Sequence, residues 1–135
     1  MSAHSEFRAL LESLPSGAAV YFGSVPDVKD LPPKPVLRFP YVLITPFVPR
    51  VGERGLNENV HSHVARWRTT ITGQNADSVL IIAEQVQKAL EGARILGQRL
   101  SRVPDDYPVW EDQDFTHPST GKYLHYTILE WRVTL

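Results

Sequence analysis

Three groups of side chains in this sequence have the types and spacing to do chemistry. His61 and His63 are two residues apart at the start of a strand-like run. On a strand both rings would point the same way and could share one metal ion, with Glu58 nearby. No third ligand follows at a fixed spacing, and His117 and His125 lie far along the chain in turn and strand contexts. The pattern favours exposed polar residues, and neither a metal nor a cofactor is expected. The second group is acidic: Asp105, Asp106, Glu111, Asp112 and Asp114. Two carboxylates across a glycosidic bond can perform acid–base hydrolysis, but no other feature of the chain supports that use, and clustered acids in a loop are ordinarily solvated. The third group is the serines. None has the Gly-x-Ser-x-Gly setting of a nucleophile elbow. Gly52-Glu53-Arg54-Gly55 lacks the spacing and the Lys-Ser/Thr ending of a phosphate-binding loop. With no cysteine in the chain, thiolate catalysis, disulfides and cysteine zinc sites are excluded. No catalytic residue is assigned, and the chain is not expected to be an enzyme.

Arg66, Trp67 and Arg68 interleave cations with an aromatic ring, as single-strand nucleic-acid binders do. The run His63–Thr72 has a period of two, however. Ala65, Trp67, Thr69 and Ile71 fall on one side, and Arg66, Arg68, Thr70 and Thr72 on the other. The ring and the cations therefore point to opposite faces of one strand, and Trp67 is expected in the core. Trp110 sits in an irregular stretch, where it can fold back over a sheet edge or fill a pocket on a neighbour.

The elements that carry these residues follow in order. Residues 5–14 read as a helix with Phe7, Leu10, Leu11 and Leu14 on one face and Ser5 as its cap. Residues 18–23 and 41–45 read as strands, joined by a connection (24–40) stiffened by Pro26, Pro32, Pro33, Pro35 and Pro40. Residues 50–62 read as a mobile loop or hairpin tip. After Gly73-Gln74-Asn75, the residues Ala76, Val79, Leu80, Ala83, Val86 and Leu90 recur at helical spacing. Asn75 is placed to cap that helix and Gly92 to end it. Residues 94–103 return to a strand-like pattern. Residues 104–121 read as a second long loop, and the final run from Tyr123 is apolar on both faces near its start. Such a strand is central in a sheet or covered by a neighbour on its second face. The order predicts an α+β domain: a twisted, mostly antiparallel sheet with both helices on one face.

At 135 residues the chain fits a single domain spanning 1–135. A net charge of −1 gives no global field to hold nucleic acid. No apolar run approaches a bilayer span, and Met1–Glu6 has neither a basic segment nor an apolar secretion core. The protein is expected to be made and kept in a cytoplasm, or built into a particle there. Charge is split along the sequence. Residues 61–103 carry six basic side chains against three acids, and residues 104–135 carry two against six. Within one fold this is surface decoration. Between copies, it suits a head-to-tail contact of two different patches, which closes into a ring when the rotation allows.

The run R-W-R-T-T-I-T-G-x-N-A-D-S-V-x-x-I-A-E-x-V-x-x-A-L-E-G, the R-I-L-G strand after it and the final Y-L-H-Y-T-I-L-E-W-R-V together resemble the tail terminator and minor tail proteins of long-tailed bacteriophages. The resemblance covers roughly residues 36–135 and is one of element order and spacing. It implies a structural virion protein located in the tail or neck and assembled in the host cytoplasm. Such a subunit forms a ring with itself, expected to be hexameric, that caps the tail tube and presents the joining surface for head–tail assembly. The implied partners are further copies, the tail tube protein and the head–tail connector or stopper. DNA would pass through an acidic lumen without specific binding, and no membrane is involved. The loops 24–38, 50–62 and 104–121 are the contact candidates. Within them, Arg50, Val51, Gly52, Glu53, Arg54 and Gly55 would meet the tube or connector. Asp105, Asp106, Trp110, Glu111, Asp112 and Asp114 would face the lumen or a neighbour, and Arg66 and Arg68 offer a basic strand face to an adjacent subunit. Deleting 51–57 is expected to leave folding nearly intact and to abolish joining. A connector stopper or other neck protein has the same element outline. A small α+β enzyme or ligand-binding domain using His61, His63 and the acidic run is the alternative of another class.

Overall fold

A computed structural model describes residues 2–27, 36–54 and 60–135, with the backbone alone over 50–54 and 60–62. Helix α1 (Ala3–Glu12) starts at Ser2, whose hydroxyl accepts from the Ser5 N–H. Ser5 was the expected cap, but Ser2 is the serine with extended backbone, and the helix begins one turn earlier than its apolar stripe suggests. Helix α2 (Ala76–Leu90) is capped by Asn75, which accepts from the Ser78 N–H at 2.8 Å. It ends where Gly92 turns with φ +77°, the left-handed backbone that glycine adopts without a Cβ clash.

The strands are β1 (Ala19–Phe22), β2 (Tyr41–Pro46), β3 (Arg50–Arg54), β4 (Val60–Gly73), β5 (Arg94–Ile95), β6 (Gln98–Arg99), β7 (Ser101–Arg102), β8 (Trp110–Thr116) and β9 (Tyr123–Thr134). The main sheet runs β1-β2-β4-β9-β7, with β3 beside β4 and β8 beside β9. Its two long strands, β4 and β9, pair antiparallel from Val64↔Thr134 to Gly73↔His125. Every other pairing is antiparallel except β1 with β2. That pair is parallel because the long connection carries the chain back to the end where β1 began. The fold is α+β, as the element order predicts.

Both helices lie on one face. Val79, Ile82, Ala83, Val86 and Leu90 of α2 and Phe7 and Leu11 of α1 pack with Trp67 and Ile71 of β4 and Leu129, Trp131 and Val133 of β9 in one core. Among the described residues, no helix covers the other face of the sheet, which bears the even-numbered residues of β4 and β9.

Two stretches differ from the sequence reading. Residues 94–103 are three short strands, because Leu96 and Gly97 both take positive φ (48° and 82°) and fold β5 onto β6 as a two-residue hairpin. Residues 110–116, expected within a loop, form β8. Its carboxylates argue against strand propensity, yet an edge strand takes its backbone hydrogen bonds from β9 and tolerates charge pointing outward. No described helix is long and apolar enough to cross a membrane.

Candidate assembly surfaces

The helix-free face holds five of the residues singled out from sequence: Arg66, Arg68, Trp110, Asp112 and Asp114. On β4, Arg66 and Arg68 both point to it, as the period of two requires. Glu130 of β9 stands opposite Arg68 in register and is only 4% exposed. Its Oε2 accepts from the Arg66 guanidinium at 3.0 Å, and its Oε1 accepts from Arg68 Nε at 3.0 Å and from the terminal nitrogen at 2.8 Å. The Phe47 ring lies under both guanidiniums, 4.9 Å from Arg66 and 5.7 Å from Arg68. The two arginines proposed for a neighbour are thus already paired inside their own subunit. The cluster is not legible in the sequence, because strand register, which sets Glu130 between the arginines, is a tertiary property.

Further along the same face, β8 and the segments either side of the proline-bearing connection wall a cavity of about 730 Å³. Its floor is Tyr41, Leu124 and Tyr126, its sides include Phe39 and Phe115, and Asp112 and Asp114 line it from β8. Trp110 is opposite Tyr126, and Glu111 turns toward His125, 3.9 Å away. A register irregularity follows between Glu111 and Thr116, and Asp112, Asp114, Phe115 and Thr116 all line the cavity. The double apolar character of early β9 was the sequence signal for a covered face, and Leu124 and Tyr126 there lie against the cavity that β8 and the flanking segments wall. Burial pushes the Tyr41 hydroxyl above its ordinary pKa. The negative charge of Asp112 pushes the same way, partly opposed by a hydrogen bond with Thr72. Trp110 folds back onto the sheet, its ring 5.2 Å from Tyr126 and 5.8 Å from Tyr107.

At the opposite end of β9, a smaller cleft of about 360 Å³ is lined by Arg99, Arg132, Gln98, Ser101 and Thr134 with Val64 and Val133. Arg99 and Arg132 are exposed. Among the described residues neither guanidinium has an ion pair or hydrogen bond.

The remaining candidates are dispersed. Asp105 and Asp106 are exposed before β8, and Asp106 accepts from Arg102 at 3.2 Å. Arg50, Val51, Gly52, Glu53 and Arg54 form β3, an edge strand on β4, while Gly55 lies outside the described residues. A deletion of 51–57 would therefore take out most of a paired edge strand, and a cost to folding is expected beside the loss of joining. His61 and His63 start β4. His63 is exposed, and its backbone pairs with Leu135. Among the described residues no three His, Cys, Asp or Glu side chains gather as a metal site would require.

No protein-family model and no curated protein matches the chain. Among solved structures, a chain of the virion of a native gene transfer agent (GTA) particle superposes with a TM-score of 0.56 at 18% identity. The superposition covers 98% of this chain and 90% of that one. The two chains share a fold. The likeness runs through the N-terminal third as well, including α1 and β1, where no sequence motif pointed to a relative.

Proposed function

We propose that this chain is a non-enzymatic structural subunit of a phage-like virion, and within it the tail terminator: a ring of identical copies that caps the tail tube and carries the joining surface for the head connector. The observation behind this reading is the end-to-end fold likeness to a chain from a gene transfer agent virion, a phage-like particle. It agrees with the resemblance of 36–135 to terminator proteins, which was drawn from different features. The helix-free face of the sheet supplies the contacts. It is broad, aromatic and charged, and its described polar groups gather no metal-ligand set. In this role DNA passes the ring without sequence-specific contact, and exposed carboxylates such as Asp105 keep the lumen from holding the phosphate backbone.

Polymerising the cognate tube protein with and without this chain tests the role. A terminator gives tubes of limited length bearing one added ring at a single end in negative-stain images. Tubes that grow unchecked while the chain binds connector complexes would identify a stopper instead. Tubes and connectors that both ignore the chain would overturn the virion reading.

A further inference from the structure

The cluster at Glu130 shows what holds a guanidinium on this sheet: a carboxylate beside an aromatic ring. Arg66 and Arg68 occupy that arrangement within the subunit, over Phe47 and against Glu130. The groove at the other end of the face offers the same chemistry. Asp112 and Asp114 stand with Phe39, Phe115 and Tyr126, and no cation is among its described lining residues. Phe115 is 62% exposed there, a large apolar ring left in water.

The matching groups are Arg99 and Arg132. Arg132 is on the same strand as Tyr126, six positions on, which puts the basic end about 20 Å from the groove at roughly 3.3 Å per residue. One subunit cannot bring its own two ends together, because β9 is held straight between β4 and its outer neighbours. Two subunits can. Planar guanidinium stacks on aromatic faces and pairs with carboxylates in a way that a lysine does not reproduce.

We propose that the aromatic, acidic groove of one copy receives the Arg99–Arg132 end of a second copy, so that identical chains join head to tail. This rests on the ring reading above and says which surfaces make the ring. The contact is heterologous, with an acidic patch meeting a basic one. A succession of such contacts closes when the rotation between copies is a simple fraction of a turn. Electrostatic complementarity of this kind also fixes the order of the two surfaces, since groove to groove and arginine to arginine both repel.

Charge reversal gives a test that loss of folding cannot imitate. One variant carries Asp112→Lys and Asp114→Lys; the other carries Arg99→Asp and Arg132→Asp. Native mass is read over a concentration series, with circular dichroism to check each fold. Each variant alone associates about a hundredfold more weakly than the wild type. Their equimolar mixture recovers the wild-type assembly, because each reversed surface now finds its opposite and the two chains alternate. The chain with all four changes assembles again by itself. If a reversal prevents folding, Asp112→Asn with Asp114→Asn and Arg99→Gln with Arg132→Gln are used, and a smaller weakening, about tenfold, is expected because the attraction is lost without added repulsion. A wild-type ring that either folded variant also forms at full strength, or a mixture that stays apart, overturns the groove pairing and leaves the ring standing. A wild type monomeric at every concentration overturns the ring itself.

Discussion

Trp67 and Trp131 stand directly opposite each other on β4 and β9, both fully buried, and each indole N–H finds its partner in a different layer. Trp67 donates to Nδ1 of His4 on α1 at 2.9 Å and stacks on Phe7 at 4.5 Å, which ties the first helix to the sheet. Trp131 donates to Thr69 Oγ1 at 3.2 Å, and that hydroxyl donates in turn to the Leu129 carbonyl at 2.7 Å.

Thr69→Val keeps the shape of the residue and strands the Trp131 N–H in a dry core. The loss is expected at about 2 kcal/mol of unfolding free energy, read from urea midpoints. His4 is more exposed, so water can replace it, and His4→Ala should cost only about 1 kcal/mol. In a Trp131→Phe background the Thr69→Val penalty should shrink by more than half. Equal penalties in both backgrounds would mean that the hydroxyl is not holding the indole.

Glu130→Ala leaves two half-shielded guanidiniums facing each other across a vacant site. The arginine side chains are 22% and 39% exposed, so the fully buried figure is discounted and about 2 kcal/mol is expected. Glu130→Gln, which keeps an acceptor but removes the charge, should fall between. A Glu130→Ala protein as stable as the wild type would show the cluster to be energetically idle.

Tyr41 ionises above 10.0 because burial disfavours its phenolate. The sign of the linkage follows. The stability gained by keeping the phenol neutral is fully present below pH 10.0 and is lost as pH rises from there through the raised folded value. Above pH 10.0 the wild type should therefore lose stability more steeply than Tyr41→Phe. In a spectrophotometric titration one of the five tyrosines should lag the rest and vanish in Tyr41→Phe. Asp112→Asn should bring that late step down, since a repelling charge is removed. A late step that persists in Tyr41→Phe would belong to another ring.

Gly92→Ala forces a Cβ into φ +77° behind α2. The nearest atoms to that Cβ are of the Arg99 guanidinium, at 3.6 Å and beyond, so there is room, and the penalty is backbone strain alone. About 1 kcal/mol is expected, checked by thermal unfolding. A neutral substitution would mean that the turn relaxes.

Much of the fold was legible along the chain. Asn75, the stripe of Val79, Ala83, Val86 and Leu90, and Gly92 mark α2 by local rules of capping and periodicity and act as they read; Leu80, read into the stripe, is 55% exposed, and Ile82 is buried instead. Trp67 was separable from Arg66 and Arg68 because a strand alternates its side chains wherever it lies. The charge split was visible too, but not its meaning. Arg66 and Arg68 of the basic block face Glu130 of the acidic block within the subunit, while Arg99 of the basic block and Arg132 of the acidic one have no partner among the described residues.

What the sequence by itself determined is the set of elements and which side of each is apolar, because those depend on residues three, four or two positions apart. What only the tertiary structure decided is register and adjacency. The pairing of β4 with β9 sets Glu130 between two arginines. The pairing of β8 with β9 turns an acidic run into a strand that sends Asp112 and Asp114 into a groove and Glu111 away from it. Such contacts join residues dozens of positions apart. A shift of one residue in register would reverse every face, and no local pattern along the chain records which register the backbone takes.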